Sequence, residues 1–209
     1  MGRPEVISRD AILESARRIF LEKGFGASTA AIARAAGVSE GSIFKRFPTK
    51  ADLFREAIMV PELPLAEELE ALLSEGPFAE GLERVGLRLI ELFREMLPRL
   101  MMAWAHQGEA DPTRPFGLMC PSDGGEPMPL RLLKTLAAQF EQQQRAGRMR
   151  AVDPEILARM LIGSCHNFAF FEIIGAHRRQ PLAASSFVRG VVDALLDGVA
   201  PPQTREIHE

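Results

Sequence analysis

Between Ser28 and Lys50 the chain reads Ser-Thr-Ala-Ala-Ile-Ala-Arg-Ala-Ala-Gly-Val-Ser-Glu-Gly-Ser-Ile-Phe-Lys-Arg-Phe-Pro-Thr-Lys, and no other stretch restricts the fold as much. Ser28 or Thr29 can cap a short alanine-rich helix that ends near Ala36. Gly37 supplies a left-handed turn residue, Ser39 caps a second helix, and Pro48 brings that helix to a stop. Two short helices joined by so tight a turn form a helix-turn-helix, a shape that fits the major groove of DNA.

The second helix sorts its own faces. Ile43 and Phe47 lie four residues apart and, with Ile32, Ala36 and Val38, can form the small core that fixes the crossing angle of the pair. Glu40, Gly41, Phe44 and Lys45 occupy the opposite side, with Ser42 and Arg46 on a flank. That side carries a hydroxyl, an ammonium and a guanidinium, the groups that read base edges and hold phosphates.

The run Ala-Ala-Gly-Val-Ser-x-Gly-Ser-Ile-Phe-x-x-Phe-Pro-Thr-Lys-x-x-Leu-Phe resembles the tetracycline-repressor (TetR) family of bacterial regulators, over residues 8 to 54. The chain departs from the common pattern at Phe44, where the family often has tyrosine, at Glu40, often lysine, and at Lys45-Arg46, often histidine-tyrosine. Losing the phenol removes one phosphate hydrogen bond, which the two cations can replace. The resemblance implies an all-α fold: an N-terminal three-helix helix-turn-helix domain followed by a C-terminal helical domain for ligand binding and dimerisation. It also implies a homodimer, an operator of double-stranded DNA and a small-molecule effector.

Charge agrees with that division. The net charge is −3, but residues 1–55 hold 10 Lys or Arg against 6 Asp or Glu, while the remainder holds 15 against 22. Only the N-terminal quarter has the sign to approach phosphate. The expected domains are therefore 1–55 for DNA and 56–209 for effector binding and dimerisation. The N-terminus lacks the apolar core of a signal peptide, and residues 156–174 are interrupted by Arg159, His166, Asn167 and Glu172, so a cytoplasmic protein with no membrane span is expected. Cys120 and Cys165 stand apart with no Cys-x-x-Cys, which favours reduced thiols.

Taken in order, Gly2-Arg3-Pro4 is a basic arm that either enters a minor groove or is a disordered terminus. From Ser8 a helix with Ile12, Ala16, Ile19 and Phe20 on one face runs to Gly24 and braces the helix-turn-helix. Thr49 and Asp52 have the spacing of a capping box, opening a fourth helix with Lys50 at its start, where an anion is favoured. This helix links the domains and can act as a lever between them. A further segment is expected over residues 65–73. Phe78, Leu82, Val85, Leu89, Phe93, Met96 and Leu100 then form one long stripe, with Pro98 expected to begin a separate helix. Residues 108–129 are rich in Pro, Gly, Asp and Ser and read as a mobile loop with Cys120 exposed in it. Helices are expected over 130–149, 153–175 and 182–199, and a disordered tail after 201. The helix over 153–175 is apolar on nearly all sides, so it faces its own core and something else. With the last helix, where Gly190 and Ala194 permit close approach, it makes half of a dimeric four-helix bundle; in the resembled family the last two helices form that interface.

The DNA contacts are expected from Arg3, Thr29, Ser39, Glu40, Gly41, Ser42, Phe44, Lys45, Arg46 and Lys50. Ser42 and Glu40 are the candidate base readers, although Glu40 can equally be a carboxylate favoured by the helix N-terminus. Phe93, Met96, Met101, Trp104, His106, Phe140, His166 and Phe170 either line a cavity for an apolar effector or fill a solid core. His106, His166, His177 and His208 have no metal-ligand spacing, and there is no Gly-rich phosphate loop or Gly-x-Ser-x-Gly elbow. Neither an enzyme, a cofactor nor a metal is expected. A repressor released by a small apolar ligand is the reading these features favour; a DNA-binding structural protein that needs no ligand is the alternative.

Overall fold

The structure, a computed structural model, describes residues 8–59, 64–106, 125–178 and 181–198. Those residues form nine α-helices and no strand: α1 (Arg9–Lys23), α2 (Thr29–Ala36), α3 (Glu40–Phe44), α4 (Lys50–Ile58), α5 (Leu65–Ser74), α6 (Phe78–His106), α7 (Met128–Arg145), α8 (Pro154–Ile173) and α9 (Ala184–Asp197), with a single 3-10 turn at Ala176–Arg178. The basic arm with Arg3, the loop with Cys120 and the tail with His208 lie outside the described residues. The all-α architecture expected from the sequence is the one observed.

Two compact units emerge, one drawn from residues 1–62 and 95–127, the other from 63–94 and 128–209. In the first, α1 packs on α2 and α4, and α2 on α3. Ile12, Ala16 and Phe20 of α1, Ile32 of α2, Ile43 and Phe47 around α3, and Leu53, Phe54, Ala57 and Ile58 of α4 close one apolar core. Val38 and Ala36 pack against it half-buried, and Ala103 of α6 completes it.

The local signals that mark these helices are all used. The Ser8 hydroxyl accepts from the Ala11 N–H at 3.2 Å, and the Ser28 hydroxyl from that of Ala31 at 3.2 Å. Gly37 ends α2 at φ 68°, a conformation that costs a side-chain-bearing residue about 1 kcal/mol or more. Asp153 caps α8 ahead of Pro154.

In the second unit α7 packs on α5 and α8, and α8 on α9. Arg88 of α6 grips Glu68 of α5 (Nε–Oε1 2.6 Å), and Arg94 of α6 meets Glu172 of α8 through two parallel hydrogen bonds of 2.7 and 2.8 Å. Helix α9 approaches α6 so closely that a Cβ on Gly86 would lie 2.5 Å from a methyl of Val188.

Three expected boundaries differ. Helix α6 continues through Pro98 as one 29-residue helix; the proline removes one backbone hydrogen bond, but Met96, Leu97 and Leu100 around it are buried and hold the helix together. Helix α3 stops at Phe44, four residues before Pro48, because the Arg46 N–H bonds to Ile43 rather than to Ser42, tightening the last turn. Helix α7 ends at Arg145, where Gly147 turns the chain at φ 70°.

Replacing Gly86 by Leu drives a side chain into buried Val188, an overpacking cost of about 1–3 kcal/mol that exceeds the helix-propensity gain of about 1 kcal/mol. The denaturant midpoint of Gly86→Leu falls accordingly, and adding Val188→Ala raises it again instead of lowering it further.

Candidate nucleic-acid interface

Helix α3 has five residues, too few to hold its own direction, so its outer face is placed by its neighbours. Ile43 and Phe47 are fully buried and fasten it to the core. Glu40, Gly41, Phe44 and Lys45 are exposed and Ser42 and Arg46 half-buried, the partition expected from the sequence. Lys45 and Arg46 sit on the closing turn after α3 rather than within it.

The polar groups on this face are already engaged with one another. The Thr29 hydroxyl donates to the Glu40 carboxylate, tying the start of α2 to the start of α3. The Ser39 hydroxyl accepts from the Ser42 N–H at 3.1 Å and lies 2.9 Å from the Ser42 hydroxyl. Arg46 donates through Nη1 to the Ser42 carbonyl at 3.1 Å. A carboxylate at the first position of a helix, held by a neighbouring hydroxyl, fits the helix-terminus role for Glu40. Ser42 keeps a hydroxyl that can exchange its partner for a base edge.

Helix α4 begins with the complete capping box. The Thr49 hydroxyl accepts from the Asp52 N–H at 3.1 Å, and an Asp52 oxygen accepts from the Thr49 N–H at 3.2 Å. Hydrogen bonds from Thr49 and Arg55 hold the Asp52 carboxyl below its ordinary value. Lys50 follows immediately, its ammonium 4.7 Å from the centre of the Phe25 ring.

Three arginines position this face without belonging to it. Arg9 bonds Glu56 of α4 and lies over the Phe47 ring, 4.9 Å from its centre. Arg17 donates through Nε to the Ala57 carbonyl at 2.8 Å, and Arg99 through Nη1 to the Met59 carbonyl at 3.3 Å. Both guanidiniums therefore serve the negative end of α4. Burial first, and then the Arg17 charge, lower the pKa of Arg99. No sequence pattern announces these contacts: 47 residues separate Arg9 from Glu56 and 40 separate Arg99 from Met59.

The expected effector-lining residues disperse. In the first unit Met96 is buried, Met101 and Trp104 are exposed, and His106 stacks on Phe25 with ring centres 3.5 Å apart. In the second unit Phe93 meets the edge of His166 at 5.2 Å, Phe140 is buried against Phe78, and Phe170 faces Phe171. His166 is exposed, not the enclosed histidine its apolar surroundings in sequence suggested, because it falls on the side of α8 away from buried Leu161, Cys165 and Phe168. Burial pushes the Cys165 thiol up to about 12, which keeps it protonated and unreactive at neutral pH. Among the described residues no group of three His, Cys, Asp or Glu side chains is placed to hold a metal ion.

Residues 12–57 match the family model for bacterial regulatory proteins of the tetR family. This segment of the chain carries the DNA-binding region of the TetR family. Over 163 residues it is 28% identical to the nucleoid occlusion factor SlmA of Aliivibrio fischeri, covering 74% of this chain and 78% of that one. The HTH-type transcriptional repressor AcnR of Corynebacterium efficiens is 38% identical over 97 residues, 46% of this chain and 44% of that one. Among solved structures, the TetR-family regulator PfmR of Thermus thermophilus superposes with a TM-score of 0.63 at 21% identity, covering 93% of this chain and 100% of that one. The matched segment coincides with the residues that build α1 to α4.

Thr49→Ala removes one side of the capping box and lowers stability by about 1 kcal/mol at neutral pH. Since the folded Asp52 carboxyl titrates below its ordinary value of 3.8, its contribution is complete above that pH and is lost as pH falls through the lower folded value. Denaturant curves for the wild type and Thr49→Ala should therefore converge on acidification below 3.8.

Proposed function

We propose that the protein is a dimeric transcriptional repressor that leaves a pseudo-palindromic DNA operator when a small apolar molecule binds it. The observation that carries this reading is the outer face of α3 and its closing turn, where Phe44 and Lys45 are exposed and Ser42 and Arg46 half-buried while Ile43 and Phe47 seal the other side. Residues 1–55 take the DNA and residues 56–209 the effector and the second subunit. In this reading Ser42 touches a base edge, Arg3, Lys45, Arg46 and Lys50 touch phosphates, and Thr29, Ser39, Glu40, Gly41 and Phe44 shape the surface between them. The protein works by binding, without catalysis, cofactor or membrane, in the cytoplasm.

One recognition helix covers only a few base pairs, so the reading requires two, about 34–36 Å apart for half-sites one helical turn apart. Support for the pairing comes from α8. Its buried side holds Leu157, Leu161 and Phe168, while Ile156, Met160, Phe171 and Ile174 on the other side are about half exposed. By length and composition α8 is apolar enough to cross a membrane, but a helix with two apolar sides, one already packed, equally suits a four-helix interface between subunits. Gly163 on that side of α8 and Gly190 on α9 have open space beside them, which allows close approach of a second backbone.

Release is a matter of differential affinity. An effector that shifts operator occupancy tenfold must favour the non-binding dimer by about 1.4 kcal/mol. Phe93 and His166, the pair from the expected lining set that meets in the second unit, are the first residues to test for effector contact. The other reading is a DNA-binding structural protein that needs no ligand, and a second unit without any cavity would favour it.

The deciding experiment is footprinting of the purified protein on DNA flanking its own gene, followed by a screen of small apolar compounds for loss of protection. Four phosphate contacts per protomer give a log K against log salt slope of about −7 for the dimer; a slope shallower than about −3 refutes the assignment. Lys45→Ala weakens all sequences alike, whereas Ser42→Ala changes preference at one position per half-site. Phe171→Glu places a charge on the proposed interface and should give a monomer in sedimentation at micromolar concentration; an unchanged dimer rules out α8 as the contact.

A further inference from the structure

Phe25 lies in the turn between α1 and α2 with glycine on either side, so its own backbone does little to fix its ring. Its neighbours do that. The ring meets Phe54 edge-on at 5.1 Å and lies parallel-displaced to Phe20 at 6.3 Å. The His106 imidazole, in the last turn of α6, stacks on it with ring centres 3.5 Å apart and planes 25° apart. The Lys50 ammonium lies over the same ring, 4.7 Å from its centre. Phe25 therefore carries both the His106 imidazole and the Lys50 ammonium on its ring.

The geometry points to His106 as a positioning residue for Lys50, acting through the Phe25 ring, and so for the phosphate contact at the start of α4. This rests on the phosphate role of Lys50 in the function proposed above. A lysine side chain has many rotamers, and an ammonium on an aromatic face gives up part of that freedom before DNA arrives. With His106 removed, one face of Phe25 is open and the ring, flanked by two glycines, can turn. Lys50 then loses its platform, and its contact with phosphate must be organised from a free side chain. His106 thereby acquires a role distinct from effector lining, and the end of α6 gains a direct route to a DNA-contacting cation.

The test has a DNA-free arm and a DNA-bound arm. In the free protein, ring current from Phe25 shifts the Lys50 ε-methylene protons upfield in the NMR spectrum; His106→Ala moves them back toward the unstructured value and His106→Phe, which keeps a stacking ring, does not. An upfield shift that survives His106→Ala overturns the inference. On a labelled duplex carrying the footprinted segment, Lys50→Ala makes the salt slope shallower by about 2 for the dimer. His106→Ala is expected to reproduce a measurable part of that change, His106→Phe to stay within about twofold of wild-type affinity, and Lys50→Ala with His106→Ala to bind no worse than Lys50→Ala alone. Additive losses in the double variant, or a His106→Ala slope equal to that of the wild type while Lys50→Ala changes it, refute the positioning role. A wild-type slope in Lys50→Ala instead removes the phosphate contact itself, and the inference with it.

Discussion

Helix α4 has nine residues, fewer than the roughly 12–15 at which an isolated helix becomes even marginal in water, so both of its ends must be held from outside its own backbone. Thr49 and Asp52 close the first end. Arg17 from α1 and Arg99 from α6 bring positive charge and hydrogen bonds to carbonyls at the last. Between the ends, Leu53, Phe54, Ala57 and Ile58 are buried. The outer side of α3 and the start of α4 inherit their placement from this arrangement. Lys50 leaves the first turn of α4, and the short α3 reaches α4 through buried Phe47 and the rigid Pro48.

Local chemistry made this quarter of the chain readable. Serine caps, the left-handed Gly37 and the capping box each concern residues two to four apart, and each was recoverable from spacing. The faces of α3 followed for the same reason, since Ile43 and Phe47 differ from Phe44 and Lys45 in chemistry as well as in position. What stayed hidden were contacts whose partners lie far apart in sequence: Arg9 with Glu56, Arg99 with Met59, and His106 with Phe25. His106 in particular reads as a ligand-lining residue because Met101, Met102 and Trp104 precede it; only the fold shows that its ring meets the turn after α1.

The second unit was legible as pattern but not as packing. The two apolar sides of α8 are evident from Ile156, Met160, Phe171 and Ile174 interleaved with Leu157, Leu161 and Phe168. Nothing in that alternation says which side packs within the chain. The same holds for Gly86, whose lack of a side chain matters only because Val188 lies against it. The ion pair of Arg94 with Glu172, 78 residues away, holds that carboxyl below its usual range and links α6 to α8, yet neither residue stands out in its surroundings.

Pro98 gives α6 a property that its length alone would not. The proline has no N–H to offer the carbonyl four residues earlier, that of Arg94. The division between the two compact units of the fold falls immediately after Arg94. Helices bend most readily where a rung of their ladder is missing. The turn that lost a rung is the one whose arginine reaches across to Glu172, so a side-chain fork to α8 braces α6 where its own ladder is thinnest.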